Sequence, residues 1–392
     1  MEAVSFTRKR INGGIYFVSN CQIVISFVDM MYRAIGLMSG SSLDGLDIVF
    51  AEFQEQAGKW NYEIYEAECV AYSAVWKHLL QNAASLSAIE YLRLHSAYGH
   101  YTGQSVNAFI EKHALHHKVQ LIASHGHTVF HEPQNKMTAQ LGDGAAIAAA
   151  TGINVVSDLR AMDVALGGQG APIVPLGEKL LFPNYQLLLN LGGIANISSA
   201  NNGNYIAFDV CPANRILNSI ASGSGKEYDE DGAIASSGFV RDEVLAALNR
   251  LEFYKQPWPK SLANSFGTET VYPMLKAANL SDKDAMRTMV EHICIQITRS
   301  VGKLLNTYIT KPTQMLVTGG GANNLFLVNR LQETLRVMGV QLQIPEKTVI
   351  DYKEALVMAL LGVLRWREEN TVLHSVTGAL RSSVGGAVWI GS

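Results

Sequence analysis

The chain has 392 residues, more than one compact core usually holds, so two domains are expected. Apolar residues make up 48% and charged residues 17%, the balance of an ordinary globular protein and not of a disordered or fibrous one. With 31 basic residues against 34 acidic ones there is no positive excess to grip nucleic acid or a membrane surface, and no apolar run approaches the roughly 20 residues that span a bilayer.

Residues 1–30 carry a basic cluster (Arg8, Lys9, Arg10) and then a mixed stretch interrupted by Ser19, Asn20, Cys21 and Gln22. A secretory signal needs a clean apolar segment and a small-residue cleavage site, and neither is present. The segment is expected to be a disordered extension, with the folded protein beginning at Met30 or Met31. Cys21, Cys69, Cys211 and Cys294 are scattered, with no CxxC pair and no zinc-type spacing, which fits a reducing cytoplasm.

From Tyr32 to Met38 and from Leu46 to Phe53 the sequence reads as two strands joined by a small-residue turn. Residues 72–98 and 102–117 have helical spacing, and 119–124 reads as a short buried strand. His113 and His117 lie four apart on the second of these helices, but no Glu sits between them in the H-E-x-x-H arrangement of a zinc site. Residues 187–198 repeat the strand, glycine turn, strand pattern of 32–53. The apolar steps Val290, Ile293, Ile297, Val301, Leu304, Leu305 and Tyr308 mark a helix over 287–310. Residues 314–324 form a strand entering a glycine turn, and 353–367 are helical again. Strands and helices alternate, so the class is α/β.

Three glycine turns follow strands: GLMSGSSLDGLD (36–47), LNLGGIANIS (189–198) and LVTGGGANN (316–324). Glycine lets backbone N–H groups approach a phosphate and present several donors to it. Each turn alone also reads as a plain hairpin. There is no GxxxxGK[ST] and no GxGxxG opening a helix, so neither a P-loop nor a dinucleotide fold is expected. No G-x-S-x-G elbow supports a hydrolase.

These segments, with SHGHT (124–128), QLGDGAAIA (140–148), SDLRAMDVALGGQGAPIVP (157–175), FDVCPAN (208–214) and DGAIASSG (231–238), resemble the anhydro-N-acetylmuramic acid kinase family. That family belongs to the acetate-and-sugar-kinase, actin and heat-shock ATPase superfamily. The resemblance runs from Tyr32 nearly to the C-terminus. It implies an α/β two-domain actin-like ATPase (ribonuclease-H-like) fold with an interdomain cleft: residues 31–157 plus about 371–392 as one domain, 158–370 as the other. It also implies ATP and Mg²⁺, phosphorylation of a 1,6-anhydro sugar at O6 while water opens the anhydro bridge, a role in cell-wall sugar recycling in the cytoplasm, and a homodimer.

By the same resemblance Gly40, Ser41, Ser42, Leu43, Asp44, Gly45, Leu46 and Asp47 match the ATP-phosphate segment, with Asp44 holding Mg²⁺ through water. Gly192 and Gly193 match the second phosphate turn, and Gly319, Gly320 and Gly321 the nucleotide turn. Asp209 matches the catalytic carboxylate, although an Asp after an apolar residue, taken blind, is more often a cap or turn residue. His127, Thr128, Arg160, Asp143 and Asn214 are the expected sugar contacts, Arg160 by pairing bidentately with a lactyl carboxylate. A surface ion pair is the plain alternative for Arg160. His125 reads equally as a sugar contact or a structural residue, and for Asp143, Asp163 and Gln169 ligand contact and scaffolding are not separable.

The chain departs from the family at Cys211 and Ala213, where glycines are usual and a Cβ at φ > 0 would cost about 1 kcal/mol. It departs again at Ala161 and Met162, where basic residues usually follow the arginine, and at Ala263, Asn264 and Ser265 after Lys260 and Ser261. These departures keep two alternatives open: a kinase of an anhydrosugar without the lactyl group, such as levoglucosan, and a nucleotide-binding protein impaired in catalysis.

Overall fold

The computed structural model describes residues 7–11, 14–19, 22–24, 30–40, 42–201, 204–263, 265–305 and 312–391. Within the N-terminal extension, strands β1 (Thr7–Ile11), β2 (Gly14–Ser19) and β3 (Gln22–Val24) pair antiparallel as a sheet of their own. The rest of the segment expected to be disordered, up to residue 29, lies outside the described residues.

Two larger sheets share one plan. The first is a meander of β4 (Met30–Ser39), β5 (Gly45–Gln56) and β6 (Lys59–Ala71). Strand β7 (Leu121–Glu132) runs parallel to β4, β8 (Met137–Leu141) turns back on β7, and β9 (Val155–Ser157) runs parallel to β7. The second repeats the sequence: β10 (Leu187–Leu191), β11 (Ile194–Asn201) and β12 (Asn204–Pro212) form the meander. Strands β13 (Thr313–Thr318) and β14 (Val340–Gln343) then extend it in parallel from β10. Strand β15 (Ala387–Trp389) returns to pair with β9. Three antiparallel strands with two parallel ones added on the first strand's side, twice over, is the ribonuclease-H-like plan that the family resemblance implied.

Strand β4 is buried on both faces, and its alternation assigns each face a partner. Ile35 and Leu37 belong to a core with Tyr98, Val106 and Phe109 of the Ala88–Lys112 helix. Ala34 belongs to a core with Ala355, Ala359 and Leu360 of the Lys347–Trp366 helix. On that second face the approach is backbone to backbone: a Cβ on Gly36 would stand 1.9 Å from the Ala355 carbonyl oxygen, and one on Gly362 2.5 Å from the Ala123 Cβ. The same core contains Leu188 and Leu316 of the second sheet, so this helix fills the space between the two sheets. It packs on the first sheet well before residue 371, where the chain was expected to return to that domain. The expected division assigned 347–366 to the second unit; the glycines of β4 and of the helix are what draw it to the first.

The helical region after β6 divides differently from the expectation. A helix over Ala74–Gln81 ends at Asn82, and a longer one over Ala88–Lys112 begins at Ser87, whose N–H donates to the Glu90 carboxylate as in a capping box. The long helix runs unbroken through 99–103, because Gly99 and Gly103 let the Gly144–Thr151 helix close on it. The expected helix over 287–310 spans Asp282–Leu305; Tyr308 lies outside the described residues.

Gly36→Ala is expected to destabilise the protein by about 2–4 kcal/mol, since neither backbone can yield without opening the core. Gly302→Ala, on the exposed face of the Asp282–Leu305 helix, is expected to stabilise by up to about 1 kcal/mol. Urea denaturation midpoints of the two variants check both signs.

Candidate active site

A cavity of about 590 Å³ opens between the sheets, with walls drawn from both: Met38 at the end of β4, Arg160, Asn190, Asn196, Asp209, Lys260 and the Lys353–Glu354 turn of the inter-sheet helix. The pairing of β11 with β12 steps from Asn196 opposite Asp209 to Ala195 opposite Cys211, so Val210 is the extra residue of a bulge. Val210 and Cys211 are both buried, while Asp209 opens onto the cavity. Its carboxylate is held from one side: the Leu262 N–H donates to Oδ2 at 2.8 Å, and its own N–H donates to the Lys260 carbonyl at 3.1 Å. Among the described residues nothing donates to Oδ1. Burial raises the Asp209 carboxyl above the ordinary range, against the Leu262 hydrogen bond and the Lys260 charge. The segment that holds it is itself held, Trp258 stacking on Phe208 at 5.5 Å and the Lys260 ammonium lying 4.3 Å from the Phe253 ring centre.

The two departures inside this motif cost no left-handed strain. Neither Cys211 nor Ala213 has positive φ, and Ala213 sits at φ −133°. Their Cβ atoms are buried in the core of the second sheet.

Arg160 stands at the start of the short Ala161–Ala165 helix and reaches the same cavity. Its Nε donates to His125 Nε2 at 2.8 Å and its Nη1 to the Gly170 carbonyl at 2.5 Å. No carboxylate among the described residues forms an ion pair with it. Burial lowers it to about 10, with Glu354 and Asp163 pulling the other way, so the guanidinium is charged at neutral pH. The turn that supplies the Gly170 carbonyl is built by Asp163, which accepts from the Gly170 N–H and the Thr377 hydroxyl, both at 2.7 Å. Asp163 is therefore scaffolding, and Gln169 lies in the cavity wall. Ala161 and Met162 are not in that wall, and Met162 is exposed.

Strand β7 does not stop before SHGHT, as the sequence suggested, but runs through it with an irregularity. Leu37 pairs with Ser124 and Ser39 with His127, so His125 and Gly126 together face Met38. Gly126 takes φ +73° at this bulge, where a Cβ would stand 2.4 Å from the Leu141 carbonyl oxygen. His127 is carried into the interior, its Nδ1 3.0 Å from the Ser39 hydroxyl. The Tyr72 hydroxyl donates to Ser39, so Tyr98 donates to Tyr72 and Ser39 is free to donate to His127. Burial lowers the His127 pKa. His127 thus supports the first glycine turn from behind, outside the cavity wall. Thr128 is exposed and pairs with Gln140 of β8. Asp143 caps the Gly144–Thr151 helix by accepting from the Ala145 N–H, and it faces a second cavity of about 310 Å³ with His95 and Asp158. None of the three is brought to the Asp209 cavity.

The first glycine turn closes the β4–β5 hairpin with Leu43 left-handed at φ +59° and with Ser42 and Asp44 exposed; Ser41 lies outside the described residues. Gly40, Gly45 and Leu46 shape the hairpin, Ser39 pairing with Leu46. Asp47 follows on β5, hydrogen-bonded to Cys69 across the sheet. Burial raises it to about 6, with Glu354, Asp44 and Asp351 adding to the rise, and the Cys69 thiol is pushed up to about 12.

The second and third turns clasp each other through Asn214. Its side chain donates to the Leu191 carbonyl at 2.9 Å and its N–H to the Gly192 carbonyl at 3.0 Å, while the Gly193 carbonyl accepts from Ala213. Gly319 at φ +80° lies where a Cβ would be 2.4 Å from Asn190 Oδ1, and one on Gly321 would be 2.9 Å from Asn214 Oδ1. Asn214, expected at the sugar, holds the glycine turns together. Gly320 packs above it.

Sequence reasoning passed over Lys353 and Glu354. Lys353 makes a buried ion pair with Glu178, which also accepts from Ser198 at 2.6 Å. Glu354 faces Arg160 and Lys353 and is raised by burial. The signal present was a Lys-Glu pair immediately before the apolar run 355–364 of that helix.

The raised Asp47 has a measurable consequence. Its folded pKa lies above the roughly 4 of an unfolded chain, so its favourable contribution is complete below about pH 4 and lost as the pH rises through 6. Asp47→Asn, which cannot ionise, is expected to be more stable than the parent at pH 8 by about 2 kcal/mol after allowance for solvent screening, and to show no gain at pH 4. Thermal melts at the two pH values check it.

The profile of the family described as "Anhydro-N-acetylmuramic acid kinase" matches residues 32–391. Curated relatives of that name include one from Zymomonas mobilis subsp. mobilis, 34% identical over 91% of this chain and 99% of its own length. Another, from Aliivibrio fischeri, is 33% identical over 92% and 99%, and a third, from Haemophilus influenzae, is 33% identical over 91% and 97%. Among solved structures, a hexokinase from Schistosoma mansoni complexed with glucose overlays with a TM-score of 0.34 at 10% identity, over 84% of this chain and 85% of its own. With a profile match and relatives spanning nearly the whole chain, the protein belongs to the anhydro-N-acetylmuramic acid kinase family.

Proposed function

We propose that the protein phosphorylates 1,6-anhydro-N-acetylmuramic acid at O6 with ATP and opens its anhydro ring with water, giving N-acetylmuramic acid 6-phosphate and ADP for cell-wall sugar recycling. The observation that carries this reading is the presence, in one cavity wall, of Asp209 with a free Oδ1 and Arg160 with Nη hydrogens left over beyond its bonds to His125 and Gly170. A muramic acid brings both groups their complement: an anomeric carbon open to water, and a lactyl carboxylate.

In this reading the sugar lies with its carboxylate on the remaining Nη hydrogens of Arg160 and with C1 toward Asp209. Oδ1 of Asp209 accepts the proton of a water as that water's oxygen bonds to C1. The C1–O6 bond breaks, and its electron pair stays on O6. O6 then bonds to the γ-phosphorus, and the bond to the β-γ bridging oxygen breaks and releases ADP. The proton ends on Asp209 and the hydroxyl on C1. The Leu262 N–H keeps Oδ2 occupied, so the base works through one defined oxygen.

The glycine turns suit the phosphates through their backbone N–H groups. The residues fit Mg²⁺ on the chemistry of the donors: the charges raising Asp47 are those of Glu354, Asp44 and Asp351, all negative. Among the described residues no three ligating side chains form a cage, and Mg²⁺ needs none when one or two carboxylates share it with phosphate and water. Asp44, through water, and Asp47 would hold it. Bound there, Mg²⁺ neutralises charge on the β- and γ-phosphate oxygens. Cytoplasmic action and a homodimer belong to the same reading, and their support is the family alone. Among the described residues no helix is long and apolar enough to cross a membrane.

The test is ADP release with Mg-ATP and 1,6-anhydro-N-acetylmuramic acid. Asp209→Asn is expected to lower kcat by about 10²–10⁴ with little change in sugar binding. The raised Asp209 predicts that kcat/KM falls on acidification at a pH above that of an ordinary carboxylate. Full turnover by Asp209→Asn would exclude it as the base, and turnover on levoglucosan alone would exclude the muramic substrate.

A further inference from the structure

Arg160 presents a question of its own. A buried guanidinium without a carboxylate partner is costly, and a long side chain left to itself explores several rotamers. Here two neutral acceptors hold it. The Gly170 carbonyl takes one Nη1 hydrogen, and the imidazole of His125, 3% exposed, takes the Nε hydrogen. A guanidinium has five N–H groups, so three remain, all on the Nη nitrogens.

The imidazole can accept from Arg160 only if Nε2 carries no proton. Its other nitrogen settles this: Nδ1 lies 2.8 Å from the Gly126 carbonyl oxygen, which can only accept, so the proton is on Nδ1. The residue that fixes the tautomer is the glycine whose positive φ makes the bulge in β7. The ring also stays neutral. Burial and the Arg160 charge hold its pKa down at about 3, the Gly126 hydrogen bond opposing them and His127 lowering it further. The groups facing the ring come from β7 itself, from the Arg160 segment and from the second cavity, where His95 and Asp158 lie.

From this geometry we infer that His125 is a positioning residue for recognition of the substrate carboxylate: fixed as its Nδ1–H tautomer by Gly126, it holds Arg160 Nε and so directs the Nη groups into the cleft. It touches neither phosphate nor the reacting carbon. The inference rests on the reading of Arg160 as the carboxylate's partner.

Two substitutions separate positioning from packing. His125→Leu fills the space without an acceptor, while His125→Gln restores an amide oxygen close to the place of Nε2. In the ADP-release assay His125→Leu is expected to raise KM for 1,6-anhydro-N-acetylmuramic acid about tenfold or more, with kcat changed less than about twofold, and His125→Gln to recover most of the loss. The inhibition constant of 1,6-anhydro-N-acetylglucosamine, which lacks the lactyl group, is expected to be the same in all three proteins. An unchanged KM in His125→Leu overturns the inference, as does an equal weakening for the lactyl-free sugar. A parent protein without turnover on the muramic sugar sinks the functional reading itself. Should His125→Leu not fold, nitrogen NMR of the parent decides: a proton on Nδ1 and a bare Nε2 between about pH 6 and pH 8 support the inference, and a proton on Nε2 overturns it.

Discussion

The seating of the Lys347–Trp366 helix against β4 and β7 is the contact on which the rest of the molecule depends. Gly36, Ala355, Ala359, Ala123 and Gly362 bring backbone against backbone, and the helix thereby becomes the shared wall of two sheets. Apolar area alone would not fix this arrangement, since burial is roughly proportional to area and indifferent to direction. The absent Cβ atoms define where the helix can lie, and close packing makes other positions expensive. That placement carries Lys353 and Glu354 into the cleft and sets Lys353 on Glu178, whose helix (Pro175–Leu181) shares a core with residues of both sheets.

The cleft is thus a meeting of charges that no single element contains. Arg160, Lys353 and Lys260 line it with Asp209, Glu354 and Glu178, and Asp47 lies within the field of Glu354. Burial raises the carboxyls of Asp209, Glu354 and Asp47 and lowers Arg160 and Lys260. Only Lys353 with Glu178 forms a closed buried pair, and such pairs contribute more to defined geometry than to stability, because desolvation offsets most of the attraction. Arg160 keeps Nη hydrogens with no ion-pair partner among the described residues, and carboxylates gather around Asp47, opposite in sign and at a different place in the molecule. A substrate with a carboxylate and a metal-bound phosphate would complete both.

Two bulges convert regular strands into a site. The one at Val210 opens Asp209 to the cavity, and the one at His125 and Gly126 turns the imidazole toward Arg160. An unbroken ladder would alternate side chains strictly between faces. With the extra residue, the register shifts by one immediately after Asp209.

Much of this was legible in the chain. The alternation of elements, the three glycine turns, the Asp209 motif and the family resemblance all depend on local pattern, because a turn's φ requirements and a strand's period are written in adjacent residues. The doubled sheet plan follows from them. Other assignments rest on contacts between residues far apart. His127 turns to Ser39, Asp143 to a helix N-terminus, Thr128 to the outer face and Asn214 to the glycine turns, and the division at residue 371 gives way to the earlier return of a helix. Lys353 and Glu354 were invisible as site residues, since a charged pair within a helix is ordinary until a sheet is placed against it. The motifs determined which chemistry the protein carries; which side chains reach it was decided by the packing of one helix between two sheets and by two inserted residues. Both of these reflect steric fit across long sequence separations, which local spacing does not record.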